Sequence, residues 1–129
     1  MIIRTSEFEA AIQAKSWSEW PTPTMLPEDT GLPMVVCLPA RDPSHYRPPR
    51  IKVSRDHGQR LNLDRLVNVS ISDAPTVFGE TGLPKHDLRQ VRAWILLNQD
   101  VLLRYWNREM FTDDMMAALR PLGKPRDRK

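Results

Sequence analysis

Leu88, Val91, Ile95, Leu102 and Tyr105 recur at helical spacing, and Trp94, Leu97, Val101 and Trp106 widen the stripe. This is the strongest periodic signal in the chain, and it predicts one long helix over residues 84–108. Pro84 stands at the start of that helix, where the first turn tolerates a proline. Asn98 falls on the apolar stripe. It is either a buried polar contact or the N-cap of a second helix, should the segment break at Asn98-Gln99. One long helix with a kink is the favoured form. Burying about eight large side chains at about 1.5–3 kcal/mol each, before entropy, makes this helix the main partner of whatever sheet the chain builds. A short final helix is expected over residues 113–120, with Thr112 as its cap and Pro121 and Gly123 closing it.

The sheet is predicted upstream. Met34 to Leu38 is a short apolar run suited to a buried strand. Residues 50–54 alternate, with Ile51 and Val53 on one side and Arg50, Lys52 and Ser54 on the other. Asp56-His57-Gly58 is a turn signal. Residues 59–63 alternate again with Leu61 and Leu63 inward, and residues 66–72 a third time with Val67, Val69 and Ile71 on one side. These runs predict an antiparallel meander of three or four strands, covered on one face by the long helix. A brief strand is open at residues 76–78, and residues 40–49 read as a loop. The fold class is therefore α+β.

Proline marks the other boundaries: the chain has twelve prolines against five glycines. Pro21, Pro23, Pro27 and Pro33, with Glu28, Asp29, Thr30 and Gly31, predict a stiff, extended linker over residues 21–33. Before it, residues 6–20 read as an amphipathic helical arm. Ser6 and Glu9 match a capping box, Phe8, Ala11 and Ile12 share a side, and Lys15 and Glu19 pair four apart. The layout expected is an arm over 1–20, the linker over 21–33, the α+β domain over 34–123 and a disordered basic tail over 124–129.

With 129 residues and 14.9 kDa the chain suits a single domain. No apolar run of roughly 18 residues exists, and the first ten residues lack the apolar core of a secretory signal. Cys37 is the one cysteine, which excludes an internal disulfide and a multi-cysteine zinc site and points to a reducing cytoplasm. Inside an apolar run, Cys37 reads as a small buried hydrophobe. Phosphate-cradling glycine loops, HExxH and GxSxG are absent. No cofactor and no metal site is expected.

Charge is unevenly spread. The chain carries +3 overall, residues 1–32 carry −3, residues 41–65 carry +4 and residues 120–129 carry +4. His45, Tyr46, Arg47, Arg50, Lys52, Arg55 and Arg60 lie on or beside the first predicted hairpin. Its cations suit phosphates, and Tyr46 and His45 could stack on a base. The competing reading is a solvated sheet face. Trp17 and Trp20 of the arm suit apolar contact with the domain or with a partner.

Together these segments resemble a small bacterial family of domains of unknown function, numbered 4160. Met34 to Leu38 is similar to its first strand, and Pro48-Pro49-Arg50-Ile51-Lys52-Val53 to its PPHxHV-like second strand. Leu83-Pro84 with Leu88, Val91, Trp94, Asn98, Leu102 and Trp106 is similar to its helix signature, and residues 119–123 to its closing segment. The resemblance covers roughly residues 33–123. Arg50 and Lys52 stand where the family has histidines, so a metal or acid–base role of those histidines does not carry over. The family has no established activity, and its gene neighbourhoods resemble toxin–antitoxin operons. The resemblance therefore implies a protein partner encoded by a neighbouring gene.

Three functions follow as expectations. The first is a non-enzymatic protein-interaction module, with Trp17, Trp20 and the outward side of the long helix as its contacts. The second is a DNA- or RNA-binding module using the cationic hairpin over 45–60 and the basic tail. The third is a metal-independent ribonuclease with His45 or His57 as general base.

Overall fold

A computed structural model describes residues 22–40, 47–61, 63–79 and 82–123. Five strands form one antiparallel sheet in chain order: β1 (Thr24–Met25), β2 (Met34–Cys37), β3 (Arg50–His57), β4 (Leu66–Ser70) and β5 (Val77–Phe78). Three helices accompany it: α1 (Pro27–Thr30), α2 (Lys85–Trp106) and α3 (Thr112–Ala118). The α+β class and the long C-terminal helix are as the sequence predicts.

Alternation selects the core face. Met25, Val36, Val53 and Val67 are successive cross-strand partners, as are Ile51, Val69 and Val77. Neighbours in a ladder point to one side, so these rows make a continuous apolar floor. Val91, Trp94, Ile95, Leu102 and Tyr105 of α2, with Met115 of α3, pack into the same cluster. The helix stripe and the strand alternation thus solve one problem together, each covering the apolar side of the other. Asn98 has a non-helical backbone at φ −117° and ψ 15°, so α2 consists of two helical stretches joined across a kink at the residue where the sequence allowed a kink or a break.

Two expectations change. The first is the linker over residues 21–33: its described part, 22–33, belongs to the domain. Met25, Thr30 and Leu32 are buried there. Its prolines suit the positions they occupy. Pro27 opens α1, where no amide hydrogen bond is lost, and β1 is an edge strand flanked by Pro23. The Asp29 carboxylate accepts the Leu26 N–H at 2.9 Å, and Thr30 Oγ1 accepts the Leu32 N–H at 3.0 Å. β1 is also why the sheet has five strands rather than three or four.

The second is the hairpin. Among the described residues of that stretch, 59–61 and 63, none is in a strand, and Leu61 is exposed. β3 instead runs three residues past Ser54 and pairs with β2 on one side and β4 on the other. The β-branched runs in β3 and β4 place Ile51 beside Val69 and Val53 beside Val67, a better match than Gln59, Arg60 and Leu61 offer. Gly58 at φ 107° ends β3, and its N–H donates to Pro33 O at 2.9 Å. A 3-10 turn over Leu63–Arg65 then leads into β4. At the other end, α3 starts at Thr112 and stops at Ala118, with Phe111 rather than Thr112 at its N-cap.

Candidate functional site

The core uses one side of α2 and leaves the other uncovered by any described element. Lys85, Arg89, Arg92, Ala93, Leu96 and Leu97 are exposed. Positions 85, 89, 92 and 96 are three and four apart, so they form one stripe along the helix. Leu96 is 49% exposed and Leu97 41%, high values for large apolar side chains. Lys85, Leu88, Arg89, Arg92, Ala93 and Leu96 line a hollow of about 590 Å³. Its floor is apolar, from Leu88, Ala93 and Leu96, and its rim carries three cations. Arg92 is held in place, its Nε donating to Pro75 O at 2.7 Å.

None of the six lining residues is acidic. The acid in the first turn of α2 is Asp87, and it is turned inward. Its carboxylate Oδ2 lies 2.8 Å from His57 Nε2, with the Asp87 side chain 6% exposed and that of His57 57%. This pair joins the last residue of β3 to the first turn of α2. Thirty positions separate the partners, and no local pattern announces such a contact. Asp56 and His57, expected in a turn, are instead the last two strand residues of β3, and the chain turns only at Gly58.

The polar side of the sheet distributes the cationic candidates. One residue from each strand forms a row: Thr24, Cys37, Lys52, Asn68 and Phe78 are successive partners. Arg50 is on the same side as half-buried Lys52. Its Nε donates to Pro48 O at 3.2 Å, and its guanidinium carbon sits 4.8 Å from the centre of the Phe78 ring. Burial, then the positive charge of Arg47, pushes the Arg50 pKa down. The Arg55 guanidinium donates to Gly82 O, tying β3 to the residues before α2. Arg47 and Arg60 are exposed at the two ends of this stretch. The predicted group is therefore divided: Arg50 and Lys52 share a face, Arg50 and Arg55 are engaged internally, and Arg47 and Arg60 stand apart in chain position. His45, Tyr46, Trp17 and Trp20 lie outside the described residues.

Cys37 is buried, as its apolar run predicts. Burial raises its thiol pKa, partly opposed by the Thr24 hydroxyl at 3.8 Å and by the charge of Lys52. A thiol held protonated is a poor nucleophile.

The sequence profile of a family described as a domain of unknown function, DUF4160, matches residues 43–107. The chain belongs to this family. The match runs through β3, β4, β5 and all of α2, so it includes the hollow and the His57–Asp87 pair. No curated protein and no solved structure matches the chain significantly. No helix among the described residues is long and apolar enough to cross a membrane.

Proposed function

We propose that this member of DUF4160 is a non-enzymatic protein-interaction module whose docking face is the outward side of α2. The partner is the product of a neighbouring gene in a bacterial or mobile-element operon of toxin–antitoxin-like arrangement, and it presents an acidic amphipathic helix. The observation that carries this reading is the hollow over Leu88, Ala93 and Leu96, rimmed by Lys85, Arg89 and Arg92. An apolar floor gives area to bury, and a rim of one sign selects a partner of the other. The test is co-expression with the flanking genes, followed by size-exclusion light scattering. A defined complex is expected with the wild-type chain and its loss with Leu96→Asp or with Lys85→Glu/Arg89→Glu. A complex that survives both changes overturns the reading.

A second reading, nucleic-acid binding, is supported by Arg50 and Lys52 sharing one face of the sheet beside exposed Arg47, within a stretch, residues 41–65, that carries +4. It requires an affinity for RNA or DNA that falls steeply with salt and a shallower slope on charge reversal at Arg47 and Lys52. Binding insensitive to salt rejects it.

A further inference from the structure

Arg50 carries a charge that the described fold leaves uncompensated. It stands on the polar side of the sheet, opposite the side that α2 covers, and it is only 9% exposed. Its Nε donates to Pro48 O, and its guanidinium carbon lies 4.8 Å from the centre of the Phe78 ring. No carboxylate among the described residues pairs with Arg50 or with Lys52. A ring face attracts a cation but does not replace a counter-ion, and a buried guanidinium without one is costly. Its lowered pKa agrees: burial and then the nearby charge of Arg47 both disfavour the charged form.

The groups around Arg50 define what compensates it. Lys52 lies two residues further along β3 on the same side, so the two backbone positions are about 7 Å apart. One tetrahedral oxyanion is large enough to take N–H groups from both side chains. Arg50 pairs with Ser70 and Phe78 pairs with Asn68, so Arg50 and Phe78 meet across β4 beside Asn68. Asn68 Oδ1 is buried without a hydrogen-bond donor. A ligand that satisfies all three must offer anionic oxygens to two cations and a hydrogen to one acceptor. A phosphate group with a P–OH does both. Sulfate, an ionised carboxylate and a phosphodiester have no such hydrogen.

We propose that Arg50, Lys52 and Asn68 bind the phosphate group of inorganic phosphate or of a phosphate monoester, with Arg50 and Lys52 donating to its anionic oxygens and Asn68 Oδ1 accepting from its P–OH. The site is on the other side of the sheet from α2, so it stands whether or not the α2 face takes a partner. It shares Arg50 and Lys52 with the nucleic-acid reading but requires a terminal phosphate in place of a backbone diester.

Isothermal titration calorimetry of the full chain at pH 6 and fixed ionic strength tests the proposal. At that pH phosphate carries a hydrogen and sulfate does not. Inorganic phosphate is expected to bind one to one and about fivefold tighter than sulfate, the worth of one hydrogen bond. Lys52→Gln is expected to weaken phosphate binding about tenfold. Asn68→Ala is expected to leave phosphate and sulfate within about twofold of each other, a lost preference that reduced folding alone does not produce. Glycerol phosphate forms a second arm, and the tighter of it and inorganic phosphate identifies the source as a monoester or the free ion. Absence of saturable phosphate binding overturns the proposal, and so do equal affinities for phosphate and sulfate in the wild-type chain. Phosphate binding that survives Lys52→Gln but is lost in Lys85→Glu/Arg89→Glu overturns it too, because the anion then sits on α2. A single-stranded DNA oligonucleotide without terminal phosphates separates the two readings of this side of the sheet. Oligonucleotide binding without phosphate binding keeps the nucleic-acid reading and rejects the phosphate site, and the reverse result does the opposite.

Discussion

Asn98 holds the segment after α3 at Arg120, through both backbone polar groups of that residue. Its Oδ1 accepts the Arg120 N–H at 2.7 Å, and its Nδ2 donates to Arg120 O at 3.0 Å. Nδ2 also donates to Trp94 O at 3.0 Å within α2. The side chain is 2% exposed, so these groups have no ready replacement in water. Asn98→Ala is expected to destabilise the domain by about 2–4 kcal/mol in urea unfolding. Amide exchange at Arg120 and Leu122 should rise more than exchange in β3. Asn98→Asp keeps the acceptor and loses both donated bonds, so it should be no milder than the alanine change.

Gly31 lets the segment around Leu122 lie close to α1. Its φ is 79°, and a β-carbon there would lie 2.1 Å from Leu122 O, a backbone atom that cannot give way cheaply. The Leu122 N–H donates to Thr30 O at 2.6 Å, so the approach is itself hydrogen-bonded. Gly31→Ala must meet both the left-handed backbone and the collision. A loss well above the ~1 kcal/mol typical of a positive φ alone is expected from thermal unfolding, with Gly58→Ala as the control. Gly58 also has a positive φ, 107°, but no atom within 4 Å of its added β-carbon.

These two sites show where the sequence was informative. The α2 stripe was legible because nine apolar positions over residues 88–106 leave one period that fits. The paired alternation of β3 and β4 was legible for the same reason. The segment over residues 21–33 was misread because four prolines mask what surrounds them. Met25 and Leu32 are core residues, but Met25 has only Leu26 beside it and Leu32 sits between Gly31 and Pro33, so no period reveals them. The candidate site divides similarly. Leu96 and Leu97 lie on or beside a periodic stripe, so their helix could be located. The inward turn of Asp87 depends on His57, thirty positions away, and only the closed fold brings them together.

Cys37 gives the domain an alkaline weakness. Burial raises its thiol pKa above the ordinary 9.0. The folded state therefore holds the proton more tightly than the unfolded chain does. The associated stability is fully present below the unfolded value and is lost as pH rises through that value towards the folded one. Unfolding free energy should decline above about pH 9 in the wild-type chain, a region where unfolded thiols titrate. Cys37→Ala should lower stability near neutral pH through lost packing and should flatten this decline. An unchanged slope would assign the decline to other groups.

The His57–Asp87 contact is best weighed by a double-mutant cycle, because each partner has a second role. Asp87 sits in the first turn of α2, where a carboxylate gains from the helix dipole, and its burial makes an unpaired charge expensive. Asp87→Ala should therefore cost about 1–3 kcal/mol, and His57→Ala should cost no less than the loss of its hydrogen bond, about 1 kcal/mol. A coupling energy of about 0.5–2 kcal/mol is expected at pH 7 by chemical denaturation. His57→Gln, which retains a donor of similar reach, should recover part of it. A coupling near zero would mean that α2 is placed by its apolar stripe alone and that the contact contributes nothing to joining β3 to the helix.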